Sequence, residues 1–183
     1  MVIIDTEIAD VVILEPRIFG DERGYFFESF SQREFQEQVM KTTFVQDNES
    51  KSFFGVVRGL HYQLPPYTQA KLVRVIAGEV LDVAVDLRKK SPTFGKHVSV
   101  LLSGENKRQF FVPRGFAHGF AVLSEQAIFQ YKCDNYYAPA YERGIRFDDP
   151  DLEIDWKVPV NKRILSEKDQ RHPFFREAVT FDL

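Results

Sequence analysis

The chain has 183 residues, enough for one domain with a sizeable core, and 24 lysines and arginines against 27 aspartates and glutamates give a formal net charge of −3. The charges are mixed along the chain, so no basic block suits nucleic acid, although local arginines can still collect a small anionic ligand. A lone cysteine, Cys133, excludes an internal disulfide framework, the apolar start Met1-Val2-Ile3-Ile4 turns acidic too soon for a signal peptide, and no apolar run reaches a membrane span. The expectation is a soluble cytoplasmic protein with residues 1–183 in a single domain.

In chain order, Val11-Val12-Ile13-Leu14 reads as a short buried strand closed by Pro16. Gly20 to Gly24 is a turn cluster, and Tyr25 to Phe30 is aromatic-rich strand material. Ser31 opens a helix running to about Met40: Ser31 with Glu34 forms a capping box, and Phe30 with Phe35 has hydrophobic-staple spacing. Phe44–Gln46 and Val56–Arg58 read as strands. A β-hairpin follows, with Arg58 to Gln63 as its first arm, Pro65-Pro66-Tyr67 in the connection and Lys71 to Val75 in its second arm. After the tight turn at Gly78-Glu79, residues 80–87, 98–102, 110–112, 120–123 and 127–134 give further strands. Many short strands at turn-separated intervals indicate a sandwich or barrel. The C-terminal part is irregular, and Ser166-Glu167-Lys168-Asp169 starts a short helix.

The hairpin carries the first chemistry. Lys71 shares a strand face with Val73, Val75 and Ala77, which points it at an apolar interior. There it needs an anionic partner, unless its stem bends out to solvent from the strand's first position. Tyr131 shares a face with Phe129 and Cys133 and points inward, either as an edge-bonded core residue or as a proton donor in an apolar pocket. A phenol with a pKa of about 10 keeps its proton at neutral pH and can deliver it to a carbanion. Asp169 either closes a cap begun at Ser166 or holds His61 in one tautomer and raises its basicity. Arg58 and His61 have opposite strand parity, so either Gly59 hosts a bulge that re-aims one of them, or Arg58 belongs to a rim.

Of the four histidines, His118 lies in Pro113-Arg114-Gly115-Phe116-Ala117-His118. This P-x-G-x-x-H spacing resembles the second half-motif of the cupin superfamily, a double-stranded β-helix or jelly roll, although a satisfied core histidine would look the same. Metal-binding cupins carry H-x-H and a following glutamate in the first half-motif. Here the sequence is His61-Tyr62-Gln63, with Lys71 where a cation would be repelled. The expectation is an all-β cupin-type jelly roll with a few short peripheral helices and a pocket that works without metal.

Longer stretches carry a more specific resemblance. They include Phe19-Gly20-Asp21-Glu22-Arg23-Gly24-Tyr25-Phe26-Phe27-Glu28, Phe44-Val45-Gln46-Asp47-Asn48, Arg58-Gly59-Leu60-His61, Gln69-Ala70-Lys71-Leu72-Val73-Arg74 and Leu165-Ser166-Glu167-Lys168-Asp169. Together with Gly78–Asp86, Ser91–Gly95 and Pro113–Phe120, they make the chain resemble the dTDP-4-dehydrorhamnose 3,5-epimerases nearly end to end. The least similar parts are Trp156–Asn161 and the residues after Arg171. The resemblance implies a cofactor-free epimerisation at C3 and C5 of dTDP-4-dehydro-6-deoxy-D-glucose, with His61 as base, Asp169 as its partner, Tyr131 as acid on the opposite face and Lys71 at the enolate. It further implies Arg58 and His118 near the sugar and diphosphate. Arg23, Glu28, Gln46, Asn48, Glu142 and Lys168 would hold the nucleotide or shape the pocket, some of them across a homodimer. Rival readings are a C3- or C5-only epimerase, a ketoisomerase on the same nucleotide sugar, a non-catalytic nucleotide-sugar-binding cupin and, least of all, a metal-dependent dioxygenase.

Overall fold

Two antiparallel sheets face each other in a computed structural model that describes residues 1–182. The six-stranded sheet has, in spatial order, β1 (Val2–Asp5), β2 (Val12–Glu15), β10 (Gln109–Val112), β7 (Lys71–Ala77), β12 (Gln126–Cys133) and β5 (Gln46–Phe53). The five-stranded sheet has β13 (Glu142–Gly144), β6 (Val57–Gln63), β11 (Phe116–Val122), β8 (Glu79–Asp86) and β9 (His97–Ser103). A separate small hairpin pairs β3 (Phe19–Asp21) with β4 (Gly24–Phe26). The helices are short and peripheral: α1 (Gln32–Gln38) and α2 (Glu167–Gln170), besides three single 3-10 turns. This is the expected cupin-type jelly roll. No helix of the described residues is long and apolar enough to cross a membrane.

Apolar alternation builds three cores. Between the sheets lie Val73, Val75, Val80, Ala84, Phe110, Phe116 and Phe129. Outside the six-stranded sheet, α1 lays Phe35 onto Leu14, Leu72 and Phe111. Ser31 caps that helix by accepting from the Glu34 N–H, and the rings of Phe30 and Phe35 stand 6.1 Å apart, so the cap and the staple both form. Outside the five-stranded sheet, the C-terminal segment wraps Ile145, Trp156 and Phe181 against Leu81, Val83 and Val85. Trp156 is fully buried and its indole N–H donates to the Phe147 carbonyl at 2.7 Å. A least family-like stretch therefore carries a core anchor.

Several expectations need correction. β6 and β7 form no hairpin with each other: β6 pairs with β11 and β13, and β7 with β10 and β12. The Pro65-Pro66 connection instead carries the chain from one sheet to the other. Strand structure begins at Gln46 rather than Phe44 and continues to Phe53, while Phe27–Phe30 leave the strand state after the short β3–β4 hairpin. The helix ends at Gln38, and β11 starts four residues before Phe120.

Arg58 and His61 do face one cavity, because of a bulge. His61 pairs with His118 and Arg58 with Phe120, so β6 spends three steps where β11 spends two. Gly59 sits at φ +117°, and a Cβ there would lie 2.6 Å from Gly119 Cα. Only glycine fits that close backbone approach.

Candidate active site

A cavity of about 630 Å³ opens between the sheets at the end where the C-terminal segment crosses. β6 contributes Arg58 and His61, β7 contributes Lys71, and β11 contributes His118. β12 contributes Tyr131, β5 contributes Asn48, and the α2 region contributes Lys168 and Asp169. Eight of the twelve residues named from sequence thus line one space.

His61 and Asp169 form its closest polar pair. Their Nε2 and Oδ1 are 2.5 Å apart, with the Asp169 side chain 5 % exposed. Burial works against the ionised carboxyl, but the adjacent imidazoles of His172 and His61, and Ser166, hold Asp169 well below the usual carboxylate range. An ionised carboxylate only accepts, so Nε2 of His61 carries the hydrogen, and in the neutral imidazole the lone pair is on Nδ1. Asp169 also donates its backbone N–H to Ser166 Oγ at 3.1 Å, so its place in the α2 cap and its contact with His61 coexist.

Tyr131 comes from the opposing sheet. Its neighbours in register are Asn48 on β5 and Val73 on β7, which puts Lys71 two residues away on the same face. Lys71 Nζ stands 5.7 Å from the centre of the Tyr131 ring. Burial pushes the Tyr131 phenol above its ordinary value, so it is protonated at neutral pH. Burial pulls the Lys71 ammonium below its ordinary value, against opposite pulls from Cys133, Asp82 and Glu142. Cys133 offers no thiolate partner, because burial raises its pKa to about 11. Asp82 pulls the other way on Lys71, while burial pushes its own carboxyl above the usual range against the opposing pulls of His118 and Lys71.

The sequence profile described as dTDP-4-dehydrorhamnose 3,5-epimerase matches residues 5–177. The chain belongs to this family. A dTDP-4-dehydrorhamnose 3,5-epimerase of Shigella flexneri is 58 % identical over 182 residues, 99 % of either chain. The crystal structure of the Elizabethkingia anophelis epimerase superposes with a TM-score of 0.93 at 54 % identity, covering 97 % of each chain. That of a Legionella pneumophila epimerase, in complex with dTDP-4-keto-L-rhamnose, has a TM-score of 0.93 at 53 % identity over 97 % of this chain and 94 % of that one.

The four remaining residues named from sequence divide into a rim and a distant group. Glu142, at the edge strand β13, pairs with Lys168 and accepts from the Tyr137 hydroxyl at 2.7 Å. Burial opposes its ionisation, but the Lys168 ammonium, the Tyr137 hydroxyl and the neighbouring His61 outweigh that and hold its pKa low. Gln46 donates to Asn48 at 3.0 Å and accepts from the Tyr137 N–H at 3.1 Å, which ties β5 to the same rim. Arg23 and Glu28 lie elsewhere on this chain. Arg23 tops the β3–β4 hairpin with its side chain 90 % exposed and paired to Asp21, and Glu28 lines a separate groove beside α1.

Three site neighbours were not singled out from the sequence. Asp82 is wholly buried and holds His118 Nε2 at 2.8 Å. Ser52 accepts from Arg58 Nε at 3.1 Å. His172 reaches within 3.5 Å of Asp169 Oδ1. The alternation of β8, which sets Asp82 beside Ala84 on the interior face, was the available signal for the first of these.

Proposed function

We propose that this chain catalyses cofactor-free epimerisation at C3 and C5 of dTDP-4-dehydro-6-deoxy-D-glucose, giving dTDP-4-dehydro-β-L-rhamnose in dTDP-L-rhamnose biosynthesis. The observation that carries the mechanism is that His61 and Tyr131 enter one cavity from opposing sheets, with Lys71 beside Tyr131. Protons at C3 and C5 are acidic because both carbons flank the C4 ketone. His61 Nδ1 removes each from one face, and Asp169 stabilises the imidazolium that forms. The electron pair moves to the ketone oxygen, where the Lys71 ammonium stabilises the enolate. Tyr131 returns a proton from the other face, which inverts the carbon. The C–H electron pair stays on the substrate as the enolate and forms the new C–H bond, while solvent takes the proton from His61 and returns one to the Tyr131 phenolate, so the cycle balances without a redox partner.

Arg58 and His118 hold the sugar and its diphosphate, with forked donors suited to the phosphate oxygens. Gln46, Asn48, Glu142 and Lys168 shape the mouth. Arg23 and Glu28 act from the second subunit of a homodimer. Supporting this is their distance from their own cavity and the exposure of Phe19, Tyr25 and Phe26 on the same hairpin. The enzyme works in the cytoplasm as a single-domain subunit.

The test is incubation with dTDP-4-dehydro-6-deoxyglucose in D2O, read by proton NMR with the product trapped by a reductase. Deuterium at C3 and C5 with the L-configured product is expected. Deuterium at one carbon would make the enzyme a mono-epimerase, and dTDP binding without exchange would leave a binding protein.

A further inference from the structure

His172 is the one histidine near the cavity that the proposed reaction does not use. It follows α2, and its Nε2 lies 3.5 Å from Asp169 Oδ1, the same oxygen that His61 Nε2 meets at 2.5 Å. One ligand atom from each of the three residues falls within 4.8 Å of the others. His172 Nε2 is buried and has no hydrogen-bond partner among the described residues. Its ring fills the space over Gly144, where an added Cβ would stand 2.4 Å from that nitrogen. Gly144 is the β13 residue paired with His61, so the missing side chain is what lets the second imidazole approach the first.

We propose that His61, Asp169 and His172 form a binding site for a single divalent cation of the zinc class. Two imidazoles and one carboxylate, with water completing the shell from the cavity, are a donor set that suits Zn²⁺. With bonds of about 2.0–2.2 Å, tetrahedral ligand atoms stand roughly 3.3 Å apart. The His172–Asp169 separation already matches. The His61–Asp169 pair has to open by roughly 0.8 Å to reach that same spacing. Lys168, the ammonium next to Asp169 in the chain, is paired with Glu142, and Lys71 belongs to the opposite sheet.

Occupancy has a chemical consequence that rests on the proposed role of His61. A metal at Nε2 replaces the hydrogen there. The imidazole stays neutral by carrying that hydrogen on Nδ1, which removes the lone pair that would take the substrate proton. The ion therefore inhibits.

The experiment titrates chelator-treated protein with Co²⁺ alone and follows its visible d–d absorption, with Zn²⁺ as displacing ion. One Co²⁺ per chain is expected, and His172→Ala should weaken it by roughly 100-fold or more. His172→Gln, checked for an unchanged circular dichroism spectrum, should do the same. Absence of stoichiometric binding, or equal affinity in both variants, overturns the site. Stoichiometric Zn²⁺ should also stop solvent exchange at C3 and C5, and EDTA should restore it. Bound metal with undiminished exchange would uphold the site and overturn His61 as the base.

Discussion

Gly59→Ala puts the bulge of β6 to a quantitative test. The new Cβ would lie 2.6 Å from Gly119 Cα and 2.7 Å from the His118 carbonyl oxygen. Both are backbone atoms, so no rotamer relieves the contact. Holding alanine at φ +117° costs about 1–3 kcal/mol, and forcing the two strands apart adds about 1–3 kcal/mol. The expected loss of about 2–6 kcal/mol corresponds to a melting temperature lower by roughly 5–20 °C for a chain of this size. Urea unfolding would measure it, with an unchanged m-value as the sign that the unfolded state is unaltered. Gly20→Ala is the control: its Cβ meets only Gly24 O at 3.8 Å, and its effect should stay within about 0.5 kcal/mol. Folded Gly59→Ala protein should also exchange the substrate protons slowly, since the bulge aims Arg58 and His61 into the same cavity. Wild-type stability in this variant would refute the argument that only glycine fits there.

Other predictions concern the chemistry. Asp169→Asn removes the charge but keeps the shape; losing a charge-assisted hydrogen bond of about 1.5–3 kcal/mol should lower kcat by roughly 10–150-fold with KM little changed, and an unaltered kcat would detach Asp169 from the base. Tyr131→Phe should still exchange solvent deuterium yet fail to invert fully; normal L-product from it would defeat the two-face assignment. Burial lowers the Lys71 ammonium from its ordinary value of 10.5 and raises the Tyr131 phenol, so rising pH discharges Lys71 earlier than an exposed lysine. The alkaline limb of kcat should therefore fall below pH 10.5 and move upward in Lys71→Arg, and a limb unmoved by that change would exclude Lys71. Asp169 has a folded pKa below its unfolded value, so its contribution to stability is full above about pH 4 and fades as pH falls. Acid unfolding of Asp169→Asn should accordingly be less steep than that of the wild type.

Much of this was legible in the sequence, for physical reasons that differ by element. The Ser31 cap, the inward faces of β7 and β12 and the cap at Ser166 are local patterns, and they formed as local patterns. β5 was hidden because Gln46-Asp47-Asn48-Glu49-Ser50-Lys51-Ser52 has the composition of a loop. Its alternation is real, but the inward residues are small and polar because they face a wet cavity rather than a core. The pairing of β6 with β7 was misread because chain adjacency suggests a hairpin, whereas the Pro65-Pro66 crossing joins two sheets. Parity alone could not bring Arg58 and His61 together, since the bulge depends on contact with Gly119, sixty residues downstream of Gly59.

The contact between His61 and Asp169 spans 108 positions of sequence. Everything else that lines the cavity, apart from the segment around α2, precedes residue 132. Every strand of the two sheets is made before the base acquires its partner. A chain that ends before Asp169 lacks the partner of its base, and with it part of the layer between Ile145 and Phe181 that covers the five-stranded sheet. Competence for the chemistry arrives with the final stretch of translation.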